Sequence, residues 1–163
     1  ILCTAPTKTF NLAGLQVSNI FIPNAEVRQK FQLELWNTGY SLINIMGLVA
    51  CQSAYEKGQK WLDELRDYLL ENINYVDTFL KENLPKIKLI YPEGTYLLWL
   101  DFNGVNLSDD RIEELMLNEA KLWLDNGKMF GETGKEFQRL NIAVPRRKLK
   151  YALENLKRAF KDY

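Results

Sequence analysis

The stretch Thr4-Ala-Pro-Thr-Lys-Thr-Phe-Asn-Leu-Ala-Gly-Leu-Gln16 decides how the chain is read. Lys8 is its centre. A short apolar run, Ile1 to Cys3, and a Pro6 turn precede it; Asn11, Gly14 and a second apolar run from Val17 to Ile22 follow. The pattern predicts a lysine on a tight loop between two buried strands. Partial desolvation there would favour the neutral amine, the form that condenses with carbonyls. The competing reading is an ordinary exposed loop lysine, the usual fate of that residue type.

Working outward, Pro23-Asn24 ends the second run, and Asn24 is placed to cap a helix running to about Trp36 with Val27, Phe31 and Leu35 on one stripe. Gly39 breaks it. A second helix, about Ser41 to Glu56, starts almost wholly apolar and is expected to be buried on most sides, either as a core helix or as an interface helix meeting a further domain or a second subunit. Gly58 opens a helical pattern of about 25 residues, on the order of 37 Å long, that closes at Leu84-Pro85. Beyond Pro85 the pattern turns to short strands: Ile87 to Tyr91, Thr95 to Phe102 across the Pro92-Glu93-Gly94 turn, Leu122 to Leu124, and Arg139 to Val144. Ser108 caps a helix to about Ala120, with Asp109 and Asp110 at its positive end, and Leu149 to Phe160 form a closing helix. The fold class is α+β.

Several segments fall in one family's order. Besides Pro6-Thr-Lys8-Thr-Phe-Asn-Leu-Ala-Gly-Leu-Gln16 they are Gly58-x-x-Trp61-Leu62, Tyr68-Leu69-x-x-Asn72, Gly94-Thr-Tyr-Leu-x-Trp99-Leu-Asp-Phe102 and Phe137-x-Arg139-Leu-Asn-Ile-Ala143-x-Pro145-Arg146. Together they resemble the pyridoxal-phosphate enzymes of aminotransferase class I/II, fold type I, and most of all the branch of bifunctional cystathionine β-lyase/aminotransferases. The resemblance implies three parts: residues 1–57 as the end of a large cofactor domain, 58–84 as a bridging helix, and 85–163 as a small domain with a mainly antiparallel sheet. It implies that the chain, opening on Ile1 within a strand-like run, is part of a longer protein whose other residues complete the cofactor site.

The same resemblance makes Lys8 the Schiff-base lysine and the catalytic residue of that protein. Thr7 occupies the place of a frequent family serine and is either a phosphate ligand or a hydroxyl bonded to the local turn. Gln16 stands where many aminotransferases place a phosphate-binding arginine; it can hydrogen-bond but adds no charge, which agrees with the lyase-like branch. Arg139, inside an apolar strand, needs an anion. A substrate α-carboxylate fits its planar fork, and a structural ion pair with one of the glutamates is the alternative. Arg146 and Arg147 read as surface charges. Tyr96 and Trp99 read as packing, and Asp101 as paired or exposed.

The expected chemistry is carbon–sulfur β-elimination on a cystathionine-like amino acid, with transamination as the runner-up; the chain alone is expected to be a non-catalytic domain. The resemblance further implies a cytoplasmic homodimer. Lysines plus arginines number 21, as do aspartates plus glutamates, so no basic excess points to nucleic acid or to an anionic membrane. No run reaches the roughly 18 apolar residues of a membrane span. Histidine is absent, which removes the commonest metal ligand and general base, and no metal is expected. Cys3 and Cys51 read as buried thiols in a reducing compartment.

Overall fold

The structure, a computed structural model, describes residues 1–40 and 42–163. The chain divides into two compact units, Ile1–Arg66 and Asp67–Tyr163.

In the first unit β1 (Leu2–Thr4) pairs antiparallel with β2 (Asn19–Phe21), Cys3 opposite Ile20. The two strands are not buried as predicted. Leu2, Ile20 and Phe21 are all exposed on this two-stranded pair, whereas Val17 and Ile22 at the ends of the second run are buried. Cys3 is exposed with them, whereas Cys51 is buried as expected. Asn24 caps α1 (Ala25–Asn37) as predicted, its Oδ1 accepting the Val27 N–H at 3.0 Å. Gly39, at φ +75°, follows the helix in a conformation that costs glycine little.

α2 (Ile45–Lys57) begins later than its apolar run suggests, because Asn44 accepts the Met46 N–H at 3.0 Å and sets the start. The predicted start at Ser41 lies outside the described residues. α2 is not a core helix: only Gly47 and Cys51 are buried on it, while Ile45, Met46, Leu48 and Val49 are exposed.

α3 (Gln59–Asn83) is 25 residues long, and the division between the units falls within it. The second unit is a four-stranded antiparallel sheet in the order β3-β4-β6-β5, formed by β3 (Lys88–Ile90), β4 (Leu97–Asp101), β5 (Asp125–Asn126) and β6 (Phe137–Asn141). One face is dry. Leu98, Leu100 and Leu140 meet Val76 and Leu80 of α3, Ile112 and Leu115 of α4 (Asp109–Asn118), and Leu149, Leu153 and Leu156 of α5 (Arg146–Phe160). These residues recur at helical spacing on α3 and α5 and at period two on the strands, so each element has one apolar side to bury.

Residues 122–124, predicted as a strand, are not one. Lys121 takes a left-handed conformation and the Leu122 N–H returns to the Met116 carbonyl at 2.9 Å, so this segment closes α4 before β5 begins at Asp125.

Candidate functional site

The Lys8 loop is built by local hydrogen bonds. The Phe10 N–H donates to the Pro6 carbonyl and the Leu12 N–H to the Thr7 carbonyl, each at 2.9 Å, so the chain wraps one helix-like turn around Lys8. Asn11 and Gln16 then take left-handed conformations, φ +55° and +52°. Phe10 anchors the turn. Its ring meets Tyr55 edge-on at 5.9 Å and lies nearly parallel to Trp61 at 6.1 Å. Gly58 makes that seat: a Cβ there would lie 2.6 Å from the Phe10 ring and 2.4 Å from the Ala54 carbonyl oxygen. Gly47 does the same for the loop's far end, where a Cβ would lie 2.9 Å from the Leu15 carbonyl oxygen. The Gly58-x-x-Trp61 spacing therefore has a local reason, which is to hold Phe10 and through it the turn bearing Lys8.

Sequence reasoning missed Phe10 and Gly47 as anchors. The available signal was a glycine inside an otherwise apolar helix, which points to a close backbone approach.

Thr7 is half-buried, and Lys8 and Gln16 are exposed. The partial desolvation expected of Lys8 is thus not provided by these residues. None of the three side chains is spent on a hydrogen bond or ion pair among the described residues. The set left available is an amine, a hydroxyl and a carboxamide, and it fits a group carrying both an aldehyde and a phosphate.

Arg139 belongs to the second unit. Its Nε and Nη2 both donate to Oδ2 of Asp125, at 3.0 and 2.6 Å, and Phe130 lies over the guanidinium at 4.7 Å. An ion pair of the kind named as the alternative is present, with an aspartate rather than a glutamate as the partner. Tyr96 packs against the dry core, while Trp99, on the opposite face, meets Phe130 and Phe137 edge-on. Asp101 accepts the backbone and side-chain N–H groups of Asn103 at 2.9 and 2.7 Å. Among the described residues, no group of three potential metal ligands comes together and no helix is long and apolar enough to cross a membrane.

Arg146 is not the surface charge expected. Its Nε donates to Oδ1 of the fully buried Asn72 at 2.5 Å, its guanidinium lies over Tyr68 and Tyr75, and its backbone N–H meets the Tyr68 hydroxyl at 2.6 Å.

Asp109 is buried too, and is more than a favourable charge at a helix start. Burial pushes its carboxyl up. The Lys128 ammonium, the Glu136 N–H and the Asn126 amide outweigh that and hold it below the ordinary aspartate range. A carboxyl depressed on folding contributes stability above its unfolded pKa and loses it as pH falls through the folded one. The urea midpoint should therefore drop below about pH 4, and Asp109→Asn should flatten that dependence. An unchanged pH profile in the variant would show that other carboxylates carry the acid sensitivity.

The lysine turn and the one-faced antiparallel sheet are those of a pyridoxal-phosphate-dependent transferase fold. Cystalysin from Treponema denticola, whose crystal structure contains a pyridoxal 5'-phosphate cofactor, superposes with a TM-score of 0.92 at 38% identity over 98% of this chain and 41% of its own. A pyridoxal-phosphate-bound C–S lyase from Staphylococcus hominis does so with a TM-score of 0.81 at 34% identity over 97% of this chain and 41% of its own. In sequence the chain is 41% identical over 159 residues to cystathionine β-lyase PatB of Bacillus subtilis (strain 168). It is a homologue of the cystathionine β-lyases and aminotransferases. The PatB match covers 98% of this chain and 41% of that protein, so the chain spans about two fifths of the relatives' length. No family model matches.

Proposed function

We propose that this chain carries the cofactor lysine and the carboxylate-binding arginine of a pyridoxal-phosphate enzyme acting on amino acids. The favoured reaction is carbon–sulfur β-elimination on a cystathionine-like substrate, yielding a thiol, pyruvate and ammonia. The Lys8 turn carries this reading: a lysine wrapped by its own loop, seated by Phe10 on Tyr55 and Trp61, with no other protein partner among the described residues.

Residues 1–57 then belong to the cofactor domain, 58–84 to a bridging helix and 85–163 to a small domain. In that setting Lys8 Nζ would hold the cofactor through its aldehyde group and, when free, would accept the proton from the substrate α-carbon. The cofactor, when bound, supplies the electron sink that makes that proton acidic. Thr7 and Gln16 would hold its phosphate by donating hydrogen bonds. Arg139 orients the substrate through the α-carboxylate. Transamination uses the same residues and is favoured by the aminotransferases among the relatives and structural neighbours. The working enzyme is a cytoplasmic homodimer in this reading.

The direct test is to incubate the protein with pyridoxal phosphate, reduce with borohydride and map the product by mass. In the holoenzyme the adduct should fall on Lys8, and labelling spread over surface lysines without preference would refute that role. A specific Lys8 adduct on the chain alone would show that it is more than a non-catalytic domain.

Arg139→Ala in the holoenzyme should raise KM for the amino acid on the order of 30-fold or more, with a smaller change in kcat, because a hydrogen-bonded charge partner is removed. Unchanged KM would refute the carboxylate assignment.

A further inference from the structure

Four residues form one lateral row across the sheet of the second unit: Ile90 opposite Trp99, Trp99 opposite Arg139, and Arg139 opposite Asp125. By the strand period they share the face away from the dry core. The row holds one cation and one anion, and they meet. A guanidinium has five N–H donors in a fixed plane. Asp125 Oδ2 takes the side edge, one hydrogen from Nε and one from Nη2. That leaves the end edge, Nη1 with the second Nη2 hydrogen, which is the edge that grips a carboxylate with two parallel bonds. Among the described residues Nη1 has no protein acceptor.

The plane is held as well as the edge. Phe130 lies over the guanidinium at 4.7 Å and is itself braced by Trp99 at 5.3 Å. Phe130 reaches that place because the segment from Gly127 to Gly134 folds back on itself. A Cβ on Gly127 would lie 2.0 Å from the Gly134 carbonyl oxygen, and one on Gly134 would lie 2.1 Å from that of Gly127, so neither position tolerates a side chain.

We propose that Asp125 is a positioning residue: it locks the side edge of Arg139, with Phe130 fixing the plane, so that the end edge is presented to the substrate α-carboxylate. The proposal rests on the reading of Arg139 as the carboxylate site. It predicts that the work of Asp125 is expressed through Arg139 and in binding.

The test uses Asp125→Asn, Asp125→Glu, Arg139→Ala and the double variant Asp125→Asn/Arg139→Ala in the holoenzyme. Asp125→Asn should raise KM about tenfold with kcat within about twofold, a coupling of the size found between contacting residues. Asp125→Glu should recover part of the loss. In the Arg139→Ala background Asp125→Asn should add less than about twofold. Calorimetric binding of 3-(methylthio)propionate, an acid with no amine to react, should weaken in parallel.

If Arg139→Ala raises KM but Asp125→Asn leaves it unchanged, the positioning role is overturned and the Arg139 assignment stands. If neither variant moves KM, the Arg139 assignment itself falls and this inference falls with it. Additive effects in the double variant, or equal losses in kcat, KM and thermal stability, would make Asp125 a structural residue and overturn the proposal.

Discussion

A holoenzyme carrying Lys8→Ala should turn over its amino-acid substrate roughly 10²–10⁴-fold more slowly than wild type, the loss expected from removing proton transfer alone. The fold should not notice. Lys8 is exposed, and the turn around it is held by the backbone of Pro6, Thr7, Phe10 and Leu12 and by the Phe10 ring, none of which uses the lysine side chain. Thermal stability should stay within about 0.5 kcal/mol, as for most surface substitutions. Single-turnover kinetics with calorimetry on the same sample would check both halves. A variant that kept more than a tenth of wild-type turnover would remove Lys8 from the chemistry. One that lost activity and stability together would leave the lysine a structural part of the loop.

The second large effect is on stability. Asn72 has no exposed surface, yet it joins three elements. Its Nδ2 donates to the Ile142 carbonyl at 3.0 Å and more weakly to that of Val144, while its Oδ1 accepts the Arg146 Nε at 2.5 Å. Asn72→Ala leaves the buried Ile142 carbonyl and the Arg146 Nε without their partner, and opens a small void as well. The cost should be about 3 kcal/mol, because an orphaned buried group carries its whole desolvation penalty. For a unit near 100 residues that corresponds to a fall in Tm on the order of 10 °C or more. Asn72→Asp should also destabilise, since a carboxylate still accepts from Arg146 but sets an acceptor oxygen against the Ile142 carbonyl. A Tm within about 2 °C of wild type for the alanine variant would mean that water replaces the amide at no cost.

The helices were legible in the sequence because their signals are local. Asn24 and Ser108 cap where a side-chain oxygen can reach an N–H three residues on. The apolar stripes of α3 and α5 follow a 3.6-residue period whatever they pack against. The lysine turn was legible for the same reason: Pro6, Asn11 and Gly14 are turn residues, although its anchor, Phe10 on Tyr55 and Trp61, is distant in sequence.

What failed depended on neighbours. β1 and β2 look buried by composition, but burial is a property of what covers a strand. α2 is apolar enough for a core helix or an interface helix, and only the structure, with most of its apolar side chains exposed, excludes the first. Arg146 looks like a surface charge at a helix start, and only the packing of α5 on α3 reveals the buried amide that binds it.

By itself, then, the amino-acid order determined the helices and the lysine turn, since each is decided within a few residues by hydrogen-bond reach and backbone preference; the chemistry expected of Lys8 came from the resemblance carried by several segments together. The tertiary structure alone decided that Arg139 faces Asp125, that Phe130 lies on its plane and that Asn72 binds Arg146. Those pairings are set by strand register and helix packing, which bring together residues 9 to 74 positions apart and leave no trace in any short window of sequence.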